Sequence, residues 1–177
     1  MTKKLFILLF TIICLTVTGC SSAKEENSSE EPQVIEDETL VVINDQDFHL
    51  NKEASFKDVS YIIAEEFREI EHDDYTPYIQ YDYRQEDESN LLFFRIFYYQ
   101  DQDDDAAIAD LGIEGNIELI EGNTDSIKYR LYAQPRDDGG TIHFYFITRD
   151  NSTYVLHFVS RYDIAAFEER VLNSIHF

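Results

Sequence analysis

His143 and His157 lie on two apolar runs joined by a short turn, and imidazole is the side chain best suited to chemistry near neutral pH. In one strand register the two rings become cross-strand neighbours on one face. There, with a nearby carboxylate, they would hold zinc or iron. A register one residue away sends them to opposite faces. No third ligand is identifiable, and the ordinary role of such histidines is a part-buried place in a sheet. His49, His72 and His176 are isolated in sequence. Asp101-x-Asp103-x-Asp105, followed by Ile108, imitates half of a calcium loop. Ala106 stands where the sharp turn needs glycine, and Gly112 stands where a bidentate glutamate belongs. The run therefore reads as the solvated start of a helix. There is no G-x-S-x-G elbow, no H-E-x-x-H and no glycine-rich phosphate loop. Carboxylates abound, but nothing selects an acid–base pair among them. The expectation is a protein that is not an enzyme, with no catalytic residue, no cofactor and no metal ligand. The alternative is an envelope hydrolase or metal-dependent enzyme using carboxylates, His143 or His157.

The chain has two cysteines, and both fall near its start. Met1-Thr2-Lys3-Lys4 is a short basic opening, and Leu5 to Val17 is an apolar run of 13 residues broken only by Thr11, Thr16 and Cys14. That length suits a signal peptide and is short for a bilayer span. The run ends in Val17-Thr18-Gly19-Cys20, followed by Ser21-Ser22. This resembles the lipobox of bacterial lipoproteins, in which small residues precede a cysteine. The resemblance implies that residues 1–19 are a signal peptide, cut away just before Cys20. It also implies lipidation of Cys20: a diacylglyceryl group on its sulfur anchors the protein to the extracytoplasmic face of the cell membrane. Cys14 would leave with the signal, so no thiol would remain for a disulfide, a metal or a nucleophile.

The 177 residues include 36 Asp and Glu against 14 Lys and Arg, a formal charge of −22. Phosphate binding is driven by Lys and Arg, so a nucleic-acid binder is excluded. Loss of Lys3 and Lys4 with the signal leaves 12 basic against 36 acidic side chains, a mature charge of −24. Such a surface repels anionic polymers and attracts cationic ones. It also keeps a protein soluble. The expected partners are the membrane, through the lipid at Cys20, and a basic protein or peptide where the charge serves binding.

These features must be carried by ordered elements, and residues 20–38 do not supply them. After Cys20, Ser21 to Glu38 holds seven acids and four serines, with only Val34-Ile35 strongly apolar. A segment of that composition buries too little to order itself and acts as a tether of about 24 Å r.m.s. reach. Residues 39–177 form a single monomeric domain with ample chain for one core.

Within it, Leu40–Ile43 and Phe48–Leu50 flank Asn44–Asp47 as a hairpin. Ser55-x-x-Asp58 approximates a capping box, and Phe56, Val59, Ile62, Ile63, Phe67 and Ile70 form a stripe at period 3.6, predicting a helix. Tyr78–Arg84 alternates, and Leu91–Tyr99 is apolar save for Arg95, as in a strand covered on both faces. Asp103–Leu111 is a short helix stopped by Gly112, and Ile117–Ile120 a strand. Ser126–Ala133, Thr141–Arg149 and Thr153–Arg161 form an antiparallel meander. Asp163 opens a last helix with an apolar stripe of Ile164, Phe167, Val171 and Ile175. The fold class expected is α+β: a twisted antiparallel sheet with a hairpin-helix start, a C-terminal three-strand meander and a closing helix, helices packed on the sheet. This order of elements resembles the PsbP-like α/β/α sandwich, used by exported bacterial proteins as a non-catalytic binding module. Tyr98, Tyr99, Tyr129, Tyr132 and Tyr145 are either an exposed stacking platform or core filling. Lys128, Arg130, Arg149 and Arg161 would guard an exposed sheet edge.

Overall fold

Between Asp47 and Ile63 the apolar residues follow a period of two. Phe48, Leu50, Val59, Tyr61 and Ile63 are buried, whereas Asp47 and Ser60 are exposed. In the computed structural model, which describes residues 38–70, 76–84, 90–114 and 118–177, this stretch is strand and not helix. β1 spans Leu40–Ile43, β2 spans Gln46–Phe56 and β3 spans Val59–Ala64. The helix expected from Ser55 is thus overturned. Phe56, Val59, Ile62, Ile63 and Phe67 fit both periods, and the β-branched and aromatic side chains favour the strand. Lys57-Asp58 closes the hairpin, with Lys57 at φ 58° and Phe56 paired to Val59.

The remaining strands are β4 (Arg68–Ile70), β5 (Tyr78–Arg84), β6 (Asn90–Tyr99), β7 (Ile120–Asn123), β8 (Lys128–Pro135), β9 (Thr141–Arg149) and β10 (Ser152–Ser160). The helices are α1 (Asp104–Asp110) and α2 (Ala165–Asn173). Strands make up 56% of the described residues and helices 13%, so the α+β expectation gives way to a mostly β fold of two antiparallel sheets. Residues 1–37, which include Cys20, the signal segment and nearly all of the tether, lie outside the described residues, as do His72 and Ile117. The described residues belong to one compact unit, Asp37–Phe177.

The small sheet has the order β1-β2-β3, and the large one β4-β5-β6-β10-β9-β8-β7. The large sheet is two meanders laid side by side. β4 to β6 run to its centre, the chain then passes through α1 to the far edge, and β7 to β10 return to pair with β6. Asn44-Asp45 and Asp150-Asn151 make two-residue turns with φ between 48° and 65°, which Asn and Asp tolerate better than most residues. The sheet edges are the short strands β4 and β7, of three and four residues, which limits edge pairing. Lys128, Arg130 and Arg149 therefore do not guard an edge, because β8 and β9 are covered on both sides.

Alternate residues of the large sheet face two ways. The inner face carries Tyr81, Leu92, Phe94, Ile96, Tyr145, Leu156 and Phe158, packed with Phe48, Tyr61 and Ile63 of the small sheet. Ile164, Phe167, Val171 and Ile175 are all buried in this core, as the stripe predicts. Phe94 stacks on Phe158 at 4.6 Å between ring centroids, and the Tyr61 and Tyr81 hydroxyls meet at 2.9 Å, tying the two sheets together. His143, on this same side, places Nδ1 2.7 Å from Oε1 of buried Glu168, which also accepts from the Tyr145 hydroxyl at 3.0 Å. These bonds pin α2 to β9.

Candidate functional site

The outer face of the large sheet is built from the residues between those of the core. The pairing of β6 with β10 sets Arg95 opposite His157, Phe97 opposite Val155 and Phe93 opposite Val159. The pairing of β10 with β9 adds Phe144 opposite His157, and β5 adds Gln80 opposite Arg95. α1 covers one end of this face: Ala107 is fully buried against a cluster containing Phe97, Tyr99, Phe146 and Val155. Asp103 caps that helix, accepting the Ala106 N–H at 3.0 Å.

Among the described side chains, three arginines lie on this face, and two are matched to buried carboxylates. Arg130 Nε donates to Asp104 Oδ2 at 2.6 Å, and Thr148 Oγ1 donates to Asp104 Oδ1 at 2.6 Å. Arg68 donates to both oxygens of Asp82 at 3.2 Å. Asp104 and Asp82 are 1% and 2% exposed, so these partners supply the hydrogen bonds that burial takes away from water. Arg95 differs. Its Nε donates to Gln80 Oε1 at 2.9 Å, and its guanidinium lies 4.3 Å from the Phe93 ring centre and 5.0 Å from that of Tyr78. Among the described residues no carboxylate stands within ion-pair distance of Arg95, in a chain of charge −22. Its outer guanidinium nitrogens make no hydrogen bond there either. Burial lowers its pKa, which records the cost of keeping this cation half out of water.

His157 adjoins it. The imidazole stacks on Phe144 at 4.4 Å with the ring planes 4° apart. Both ring nitrogens are buried without a hydrogen-bond partner. Burial, reinforced by the charge of Arg95, pushes its pKa down to about 4, so the ring is neutral near pH 7. Among the described residues no hydroxyl sits within hydrogen-bond reach of either nitrogen. The face offers a cation among aromatic rings, which suits recognition of an anionic group.

The register Phe158 to His143 and His157 to Phe144 places the two expected histidines on opposite faces, so they share no ligand. Asp101, Asp103 and Asp105 do not gather into a metal-holding group: Asp103 caps α1 and Asp105 is exposed in its first turn. The tyrosines divide towards core filling. Tyr99 and Tyr145 are buried, and Tyr98, Tyr129 and Tyr132 are half-buried. Beside Asp104 a cavity of about 650 Å³ opens towards Glu121, Asn123, Lys128 and Arg130. Its buried carboxylate is already saturated by Arg130 and Thr148. The importance of Arg95 is faint in sequence. Its one signal is a lone charge in an otherwise apolar strand, flanked at i−2 and i+2 by phenylalanine. No protein-family model matches the chain, and no curated protein matches it.

Proposed function

We propose that the protein is a non-enzymatic binding module, lipid-anchored through Cys20 at the extracytoplasmic face of the cell membrane, with the outer face of its large sheet turned to the partner. The observation that best supports binding is Arg95, a half-buried cation with no carboxylate partner among the described residues, where Arg68 and Arg130 each have one. A guanidinium held this way costs stability unless something outside the chain completes it. The partner is a basic protein or peptide that presents one carboxylate to Arg95. Long-range charge and local contact then select separate features of it: the field of the anchored chain, at −24, draws in a cationic body, and Arg95 fixes one anionic group.

Capture from envelope extract by the full chain in detergent, compared with Arg95→Leu, tests the binding face. A basic protein held by the wild type and lost from the variant supports the reading; equal capture by both contradicts it. Acyl labelling tests the anchor: Cys20→Ala should abolish it, and undiminished labelling of the variant would remove the lipid from the account.

A further inference from the structure

The β2–β3 hairpin brings together three side chains from two places in the sequence. His49 is on β2, and Glu65 and Glu66 follow directly after β3. The Glu65 N–H donates to the His49 carbonyl at 3.0 Å, which locks the two backbones side by side. The His49 N–H donates to both Glu66 oxygens, at 3.2 and 3.0 Å, so that carboxylate is oriented by main chain. His49 Nδ1 lies 2.6 Å from Glu66 Oε1. Asn51 Nδ2 donates to Glu65 Oε2 at 3.1 Å. One ligand atom from each of His49, Glu65 and Glu66 lies within 4.8 Å of the other two.

An ion pair between His49 and Glu66 would need no third member. Glu65 adds a second carboxylate beside that pair, in a chain already at −22. The Glu66 carboxylate is held by the His49 backbone N–H and the Glu65 carboxylate by the Asn51 side-chain amide, and the His49 and Glu66 side chains are 36% and 23% exposed, leaving a path for an ion. We propose that His49, Glu65 and Glu66 form a site for a divalent cation of the zinc type, bound by His49 Nδ1 and one oxygen from each glutamate, with water completing the shell. The metal takes the place of the proton on His49 Nδ1: a protonated ring releases that proton to solvent and keeps the one on Nε2, and a neutral ring carries its single proton on Nε2 instead. To reach the spacing set by bonds of about 2.0–2.2 Å, His49 Nδ1 and Glu66 Oε1 must open from 2.6 Å to admit the ion while a Glu65 oxygen, already within 4.8 Å, turns towards it, a side-chain movement within reach of two glutamates. One nitrogen with two carboxylates suits zinc, whereas calcium asks for six to eight oxygens.

The test is titration of Zn²⁺ into the full chain in detergent micelles, followed by calorimetry, with excess Ca²⁺ present to occupy the general acidic surface. One equivalent should bind in that background. His49→Ala and Glu65→Gln should each weaken it at least tenfold, while Glu53→Gln, an exposed acid on the same sheet, should not change it. Glu65 is exposed, so Glu65→Gln should leave the metal-free thermal midpoint where it is, and this variant decides the matter if His49→Ala fails to fold. Absence of stoichiometric Zn²⁺ in the calcium background would overturn the site, and so would equal binding by wild type and Glu65→Gln.

Discussion

The two faces of the seven-stranded sheet are made by the same strands and differ in what they ask of a polar side chain. On the inner face the polar groups are matched within the chain: Glu168 accepts from His143 and Tyr145, and the Tyr61 and Tyr81 hydroxyls bond each other. On the outer face the matching is incomplete. Asp104 and Asp82 are satisfied, but among the described residues Arg95 meets Gln80 and aromatic rings with no carboxylate, and His157 has no partner for either nitrogen.

The largest expected effect is on the inner face. Removing the chain from Asp163 onward strips Phe167, Val171 and Ile175 from the sheet, each worth roughly 1.5–3 kcal/mol of burial. The total rivals the whole stability of a domain, about 5–15 kcal/mol, so the truncated chain should show no cooperative unfolding transition. A cooperative transition in the truncated chain would mean that α2 is an accessory to the core.

Single substitutions sharpen the contrast. Phe158→Ala leaves a cavity beneath a fully buried ring and should cost about 3–5 kcal/mol in denaturant unfolding. Phe93→Ala, on the half-buried outer face, should cost less than half of that. Equal losses would erase the distinction between the faces.

His157 should make the outer face sensitive to acid. Its folded pKa of about 4 lies below the unfolded value of 6.5, so the native state resists protonation that the unfolded chain accepts. Above pH 6.5 the group contributes nothing to the balance. Between pH 6.5 and 4 it should cost stability progressively, to roughly 3 kcal/mol at the lower end. The acids lose their own contributions in the same range, so the comparison must be with His157→Leu. That variant should lack this part of the pH dependence, as seen in thermal midpoints across pH 4–8.

The smallest effect is the most telling. Arg95→Leu removes a desolvated cation that no carboxylate compensates, so stability should change by less than about 1 kcal/mol or rise slightly. Asp104→Ala, which breaks a satisfied outer-face network, should cost about 2–3 kcal/mol.

Much of the large sheet is legible in the sequence. Tyr78–Arg84 and Thr141–Arg149 match β5 and β9 residue for residue, because alternation and Asp-Asn turn chemistry agree there. The hairpin of β2 and β3 is not legible in the same way. Phe56, Val59, Ile62, Ile63, Phe67 and Ile70 satisfy the helical period, and only the tertiary demand for a second sheet decides between the readings. That error conceals the neighbourhood of His49 with Glu65 and Glu66, because residues 16 and 17 positions apart meet only across a hairpin. The facing of His143 and His157 is likewise hidden. One residue of register exchanges the faces, and the apolar pattern of β9, with Ile142, Phe144, Tyr145 and Phe146 in sequence, marks neither side. Arg95 is visible as a lone charge, but its lack of a carboxylate depends on where Asp82 and Asp104 fall.

The central claim is that Arg95 is open to an external anion while Arg68 and Arg130 are not. Arginine side-chain N–H resonances of the full chain in detergent, titrated with benzoate as a minimal carboxylate with an apolar body, report on all three at once. The account predicts a saturable shift of the Arg95 Nε–H that disappears in Arg95→Leu, with the Arg68 and Arg130 signals unmoved. Equal movement of all three, or no saturable shift at Arg95, would contradict it.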